Sequence, residues 1–121
     1  MILFPAYLFG QTKMDSDKIH GKWNYSYQYF DSEDSITVDW PIETLVFEEN
    51  GTFIIRTDSE ELSGKYEFMD SSIVLKEVSK NGIKQEGQEI LFLSNLDSLT
   101  LTIQARMETG ILYVEYEKEK N

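Results

Sequence analysis

His20 is the only histidine in the chain and cysteine is absent. A metal site built from several nitrogen or sulfur ligands is therefore excluded, as are a disulfide framework, a cysteine nucleophile and a cysteine-linked lipid anchor. A serine nucleophile would rest on His20 alone, and no nucleophile-elbow motif surrounds any serine. The acidic runs Asp31-Ser-Glu33-Asp34 and Asp58-Ser-Glu60-Glu61 hold oxygen ligands of the kind a hard cation prefers. Neither has the spacing of a twelve-residue calcium loop, and acids at hairpin tips are ordinarily solvated. Acidic residues are spread so widely that no two stand out as a carboxylate pair for sugar hydrolysis. The residues thus point away from an enzyme and call for no metal or cofactor.

The informative side chains are aromatic: seven Tyr, seven Phe and two Trp. In the run Lys22 to Phe30, Trp23, Tyr25, Tyr27 and Tyr29 alternate with Asn24, Ser26 and Gln28, the period of a strand with one buried face. The same alternation predicts that Phe47, Phe53, Tyr66 and Phe68 also point inward. Two outcomes follow, a core packed with rings or a pocket. Three tyrosines on one strand favour apolar walls with a few polar tips, because each buried hydroxyl needs a partner. A pocket of this kind would open at the end opposite Trp23, near Tyr27 and Tyr29, with Trp40 and Pro41 as its lid. Its binding residues would be Tyr25, Tyr27, Tyr29, Trp40, Phe47, Phe53, Tyr66 and Phe68.

These side chains must be carried by strands. No window repeats apolar residues at helical spacing, and turn signals recur about every ten residues, the pattern of a sandwich or barrel. Eight runs can be read: Lys22 to Phe30, Glu43 to Glu49, Thr52 to Thr57, Gly64 to Phe68, Ile73 to Ser79, Glu89 to Leu93, Leu99 to Ala105 and Ile111 to Lys118. Asn50-Gly51 between the second and third is a strong hairpin signal, since both residues tolerate positive φ. Asp31 to Ile42 reads as the longest loop. The other connections are short enough to join antiparallel neighbours, so an eight-stranded up-and-down barrel, closed on itself and without edges, is expected. A Greek-key sandwich would need longer connections.

Ile19-His-Gly21-Lys-Trp23 resembles the Gly-x-Trp element that opens lipocalins and their relatives. That resemblance implies that Trp23 plugs the closed end of the barrel while a basic residue beyond the last strand lies across its ring, a place that Lys118 fills. Phe47-Glu-Glu-Asn-Gly51-Thr52-Phe53, Gly64-Lys-Tyr66 and the pair Leu99 and Leu101 are similar to segments of small secreted bacterial lipocalin-like domains. The likeness spans about residues 19 to 118 and implies a calycin-type barrel. The chain is shorter than typical lipocalins and shows no clear helix after its last strand, so a large central cavity does not carry over.

The length of 121 residues suits one domain with one core. Twenty-two acidic against eleven basic residues, a net charge of −11, keep the chain soluble and oppose binding to nucleic acid or anionic lipid. Residues 1 to 10, Met1-Ile-Leu-Phe-Pro-Ala-Tyr-Leu-Phe-Gly10, are apolar and uncharged. They resemble the apolar region and cleavage site of a secretory signal peptide with its junction at Gly10-Gln11, although no basic region precedes them. The alternative is an arm packed on the barrel. Ten residues are too few to span a bilayer as a helix. The division expected is a signal remnant and arm over 1–18 and a barrel over 19–121, in a secreted or periplasmic protein. Its expected role is non-catalytic binding of a small, partly apolar molecule. The alternative is a protein-interaction or cell-envelope module with the 31–42 loop as contact surface.

Overall fold

The computed structural model describes residues 14–31 and 38–120; the signal-like segment 1–10 and residues 32–37 of the long acidic loop lie outside them. Among the described residues a 3-10 turn, Ser16–Ile19, leads into nine strands: β1 (Gly21–Asp31), β2 (Ile42–Phe47), β3 (Thr52–Thr57), β4 (Glu61–Met69), β5 (Ser72–Lys80), β6 (Ile83–Lys84), β7 (Glu89–Leu96), β8 (Thr100–Arg106) and β9 (Ile111–Lys118). The sheet runs β4-β3-β2-β1-β9-β8-β7-β5-β6 and closes through a β4–β5 pairing. All its pairs are antiparallel. The fold is the closed eight-stranded up-and-down barrel of lipocalin-like kind. β6 is an addition outside the ring, pairing only Ile83 and Lys84 with Lys80 and Ser79 of β5.

The two Asn-Gly dipeptides turn the chain differently. Asn81 and Gly82 both take positive φ, 51° and 86°, giving a two-residue hairpin whose twist matches its strands. This turn creates β6 within what the sequence suggests is one plain connection to β7. At Asn50-Gly51 only Gly51 is left-handed, with φ 90°. Its N–H donates to the Glu48 carbonyl at 3.1 Å, and the Asn50 side chain accepts from Thr52 N at 3.1 Å.

Bulges decide which side chains face in. Between β1 and β9, Tyr25 pairs with Tyr116 but Tyr27 pairs with Glu115, so Ser26 is an extra residue. One extra residue reverses the phase of everything after it. Gln28 and Phe30 therefore join the inward Val114 and Leu112, while Tyr27 and Tyr29 turn out beside Glu115 and Tyr113. On β5 the extra residue falls near Glu77, at φ 49°, and brings Val78 into the interior. Gly64 lies opposite; a Cβ there would stand 2.5 Å from the Lys76 carbonyl oxygen, so no other residue fits without moving backbone.

At the Trp23 end Ile19, Trp23, Leu45, Phe47, Phe53, Ile73, Leu101 and Tyr116 are fully buried or nearly so, and Ile55, Ile103, Leu112 and Val114 continue the core along the barrel. Met14, ahead of β1, packs against it. Leu101 and Ile103 are inward on β8, whereas Leu99 lies before the strand and is exposed, so the inward face of the run Leu99 to Ala105 begins at Leu101. Among the described residues no helix is long and apolar enough to cross a membrane.

Candidate functional site

The closed end is fixed by three contacts. Trp23 Nε1 donates to the Ile19 carbonyl at 2.8 Å, satisfying the indole in a fully buried site. Lys118 Nζ lies 5.4 Å from the Trp23 ring centroid, a cation over a π-face. To reach it the lysine stem crosses Gly21, where a Cβ would come 2.7 Å from Lys118 Cε and where φ is 129°. The glycine of the Gly-x-Trp element is thus required both by its backbone conformation and by the side chain passing over it.

At the other end the ladder loosens in two places. β1 and β2 pair only from Gly21–Phe47 to Asn24–Thr44 and then separate. The segment Val38–Trp40 fills the gap, held by Gln28 Nε2 donating to the Val38 carbonyl at 2.7 Å. Gln28 in turn accepts from the Tyr25 hydroxyl at 3.0 Å. Trp40 then turns inward and donates from Nε1 to the Tyr116 hydroxyl at 2.7 Å, and that hydroxyl donates to the Ile42 carbonyl at 2.8 Å. Burial holds the Tyr116 phenol well above its ordinary pKa, so it stays a neutral donor. β7 and β8 also part: their pairing ends at Phe92–Gln104, leaving Leu91 to β5 and Ala105 to β9 alone.

Two cavities result, one on either side of the Trp40–Ile42 segment. The smaller, about 360 Å³, has a floor of Ile42, Ile55, Leu62, Leu75, Val78 and Leu91. Its rim is polar, with Glu60, Lys80, Gln85, Glu86 and Glu89. The larger, about 520 Å³, opens at the β7–β8 gap and touches Trp40, Leu91, Leu93, Ile103, Ala105 and Arg106. Leu91 borders both. A rim connection, Gln85 to Gln88, is pinned to the barrel by Gln85 N donating to the Val78 carbonyl at 2.7 Å.

The residues picked from sequence scatter. Of the eight, Trp40 alone borders a mouth cavity. Tyr25 is 41% exposed in a shallow recess that it shares with Gln28, Val38 and Trp40, so these two predicted site residues, Tyr25 and Trp40, do meet. Tyr27 and Tyr29, 50% and 51% exposed, lie on the outer wall, which corrects their expected inward place; the Ser26 bulge is the cause. Tyr29 stacks on Tyr113 with ring centres 5.0 Å apart, and the Glu115 carboxylate beside Tyr27 raises the pKa of its phenol. Phe47 and Phe53 are core residues of the closed end. Tyr66 packs edge-on against Phe47 and donates to the Glu48 carbonyl at 2.8 Å. Phe68 packs against the core opposite Ile73. The residues that do form the mouth are ordinary aliphatics at period two, which nothing in the sequence marks apart from other core positions. The bulges and ladder ends that open space beside them are invisible there too.

His20 lies half-buried at the closed end beside the β2–β3 hairpin, far from the mouth. Among the described residues no three His, Asp or Glu side chains are grouped to hold a metal ion. Neither protein-family models nor curated proteins yield a match to the chain.

Proposed function

We propose that the protein binds a small, partly apolar molecule in the mouth of its barrel, without catalysis. The observation that carries this reading is the pair of apolar-floored cavities that share Leu91, about 360 and 520 Å³, in a barrel whose Trp23 end is filled by buried side chains. Volumes of this order suit small-molecule sites, which join apolar walls to a few polar groups. Among the described residues no buried side-chain nitrogen or oxygen lacks a partner, so no buried polar side chain waits for one from a ligand. The Gly21-x-Trp23 element with Lys118 across its ring supports placing the chain among small lipocalin-like domains.

A homologous series of neutral 1-alkanols, followed by the methyl resonances of Ile55, Leu75 and Leu91, tests the reading. Each added methylene is expected to tighten binding about three- to four-fold, until the chain outgrows the cavity. Leu62→Trp, which fills the smaller cavity from its wall, should reduce binding while the fold persists. Shifts scattered over the surface, or none at saturating alkanol, would sink it.

A second reading, a protein-interaction module, gains support from the outer wall. Tyr27, Tyr29 and Tyr113 form a stacked row there, with ring separations of 6.2 and 5.0 Å. The 31–42 loop offers less, because its Trp40 is committed to Tyr116. A Tyr27→Ser, Tyr29→Ser double variant would separate the two readings, since it leaves the mouth untouched.

A further inference from the structure

The two mouth cavities share Leu91 but differ in the charge around them. Four ionisable side chains border the smaller cavity: Glu60, Glu86, Glu89 and Lys80. Lys80 Nζ lies 3.5 Å from Glu60 Oε2, so its charge is largely answered within the rim. Among the described residues neither Glu86 nor Glu89 takes part in an ion pair. Both stand exposed at the edge of an aliphatic floor. The ionisable side chain bordering the larger cavity is Arg106. The chain as a whole carries −11, which raises the local concentration of cations and lowers that of anions.

We infer that the smaller cavity takes an amphipathic cation, its alkyl chain on Ile55, Leu62, Leu75 and Leu91 and its ammonium head at the rim beside Glu86 and Glu89. This rests on the binding reading above and adds the class of ligand. The apolar part supplies the affinity through area removed from water. The head stays hydrated at an exposed rim, so the two carboxylates add selectivity more than strength, each changing affinity by about two- to five-fold. A carboxylate head in the same place would meet two like charges and lose by a similar factor. An uncharged ligand of the same length would fall between.

Calorimetric titration of the full chain with octylammonium, 1-octanol and octanoate at neutral pH, each below its micelle concentration, tests the charge directly. The expected order is octylammonium tightest and octanoate weakest, with the spread shrinking as salt approaches about 1 M. Methyl shifts should place the octylammonium chain at Ile55 and Leu75. An E86Q/E89Q double variant should bind 1-octanol as before and lose the preference for octylammonium. E49Q, at the closed end, should keep it. Octanoate binding as tightly as octylammonium would overturn the inference while leaving small-molecule binding intact. So would a preference that survives in E86Q/E89Q, because it would then come from the net charge alone. Failure of all three compounds to bind would overturn the binding reading itself, and the ligand class with it.

Discussion

Burying a phenol costs free energy unless its hydroxyl finds partners, and Tyr116 finds two. It accepts from Trp40 Nε1 and donates to the Ile42 carbonyl. Tyr116→Phe removes both at once and leaves the indole N–H of Trp40 without its acceptor. A loss of about 1–3 kcal/mol in denaturant unfolding is expected. The same residue gives the fold an alkaline limit. Its phenol ionises above the ordinary value of 10.0 in the native state, so between 10 and that higher pKa the unfolded chain releases a proton the native one keeps. Stability is complete below pH 10 and falls by about 1.4 kcal/mol per pH unit above it. Tyr116→Phe should show a shallower decline in the same titration. At the closed end, Gly21→Ala forces a side chain into φ 129° and against Lys118 Cε. It should cost more than Lys118→Met, which removes only the cation over Trp23, worth about 0.5–1 kcal/mol.

At the scale of elements, β1 shows what a sequence can and cannot disclose. Its alternation from Trp23 to Tyr29 is faultless, and the strand does form over Gly21–Asp31. Period two identifies a strand but cannot say where an extra residue will be inserted, and Ser26 carries no mark of a bulge. The clue available was chemical: three inward tyrosines would have needed three buried partners. Outward, the phenols of Tyr27 and Tyr29 are solvated, and Gln28 takes the inward position where its amide clips Val38. The closed end was legible because Gly21, Trp23 and Lys118 are each constrained by type. The mouth was not, since it depends on where the β1–β2 and β7–β8 ladders stop. Deleting Ser26 would remove the bulge and leave the rest of β1 in its observed pairing, with Tyr27 and Tyr29 outward and Gln28 and Phe30 inward. That variant should still unfold cooperatively, and a loss of cooperativity would mean that the bulge itself is needed to seat β1 on β9. Tyr27→Thr and Tyr29→Thr should each cost at most about 1.5 kcal/mol, the value of an aromatic pair. Leu112→Ala in the buried partner strand should cost about 2–5 kcal/mol.

For the molecule as a whole, solidity at one end and space at the other are two parts of one arrangement. Strands packed on Trp23, Phe47, Phe53 and Leu101 hold the barrel shut, so that Trp40 can be seated from the mouth without being needed for closure. Amide exchange should reflect this. Central residues of β1, β8 and β9 are expected to exchange only through global unfolding, and the exposed stretch Asn81–Glu89 through smaller openings. Trp40→Ala gives the sharpest test of that division. It truncates a side chain that borders the cavity of about 520 Å³, next to the Pro41-Ile42 border of the one of about 360 Å³, and leaves the Tyr116 hydroxyl still bonded to the Ile42 carbonyl. The barrel should survive with a loss of about 3–5 kcal/mol, the cost of truncating a large aromatic. Alkanols too long for either cavity alone should then bind more tightly to the variant than to the natural chain. A variant that loses the barrel's β-sheet circular dichroism would mean that Trp40 holds the mouth strands together. A folded variant with unchanged chain-length preference would mean that the two cavities never join.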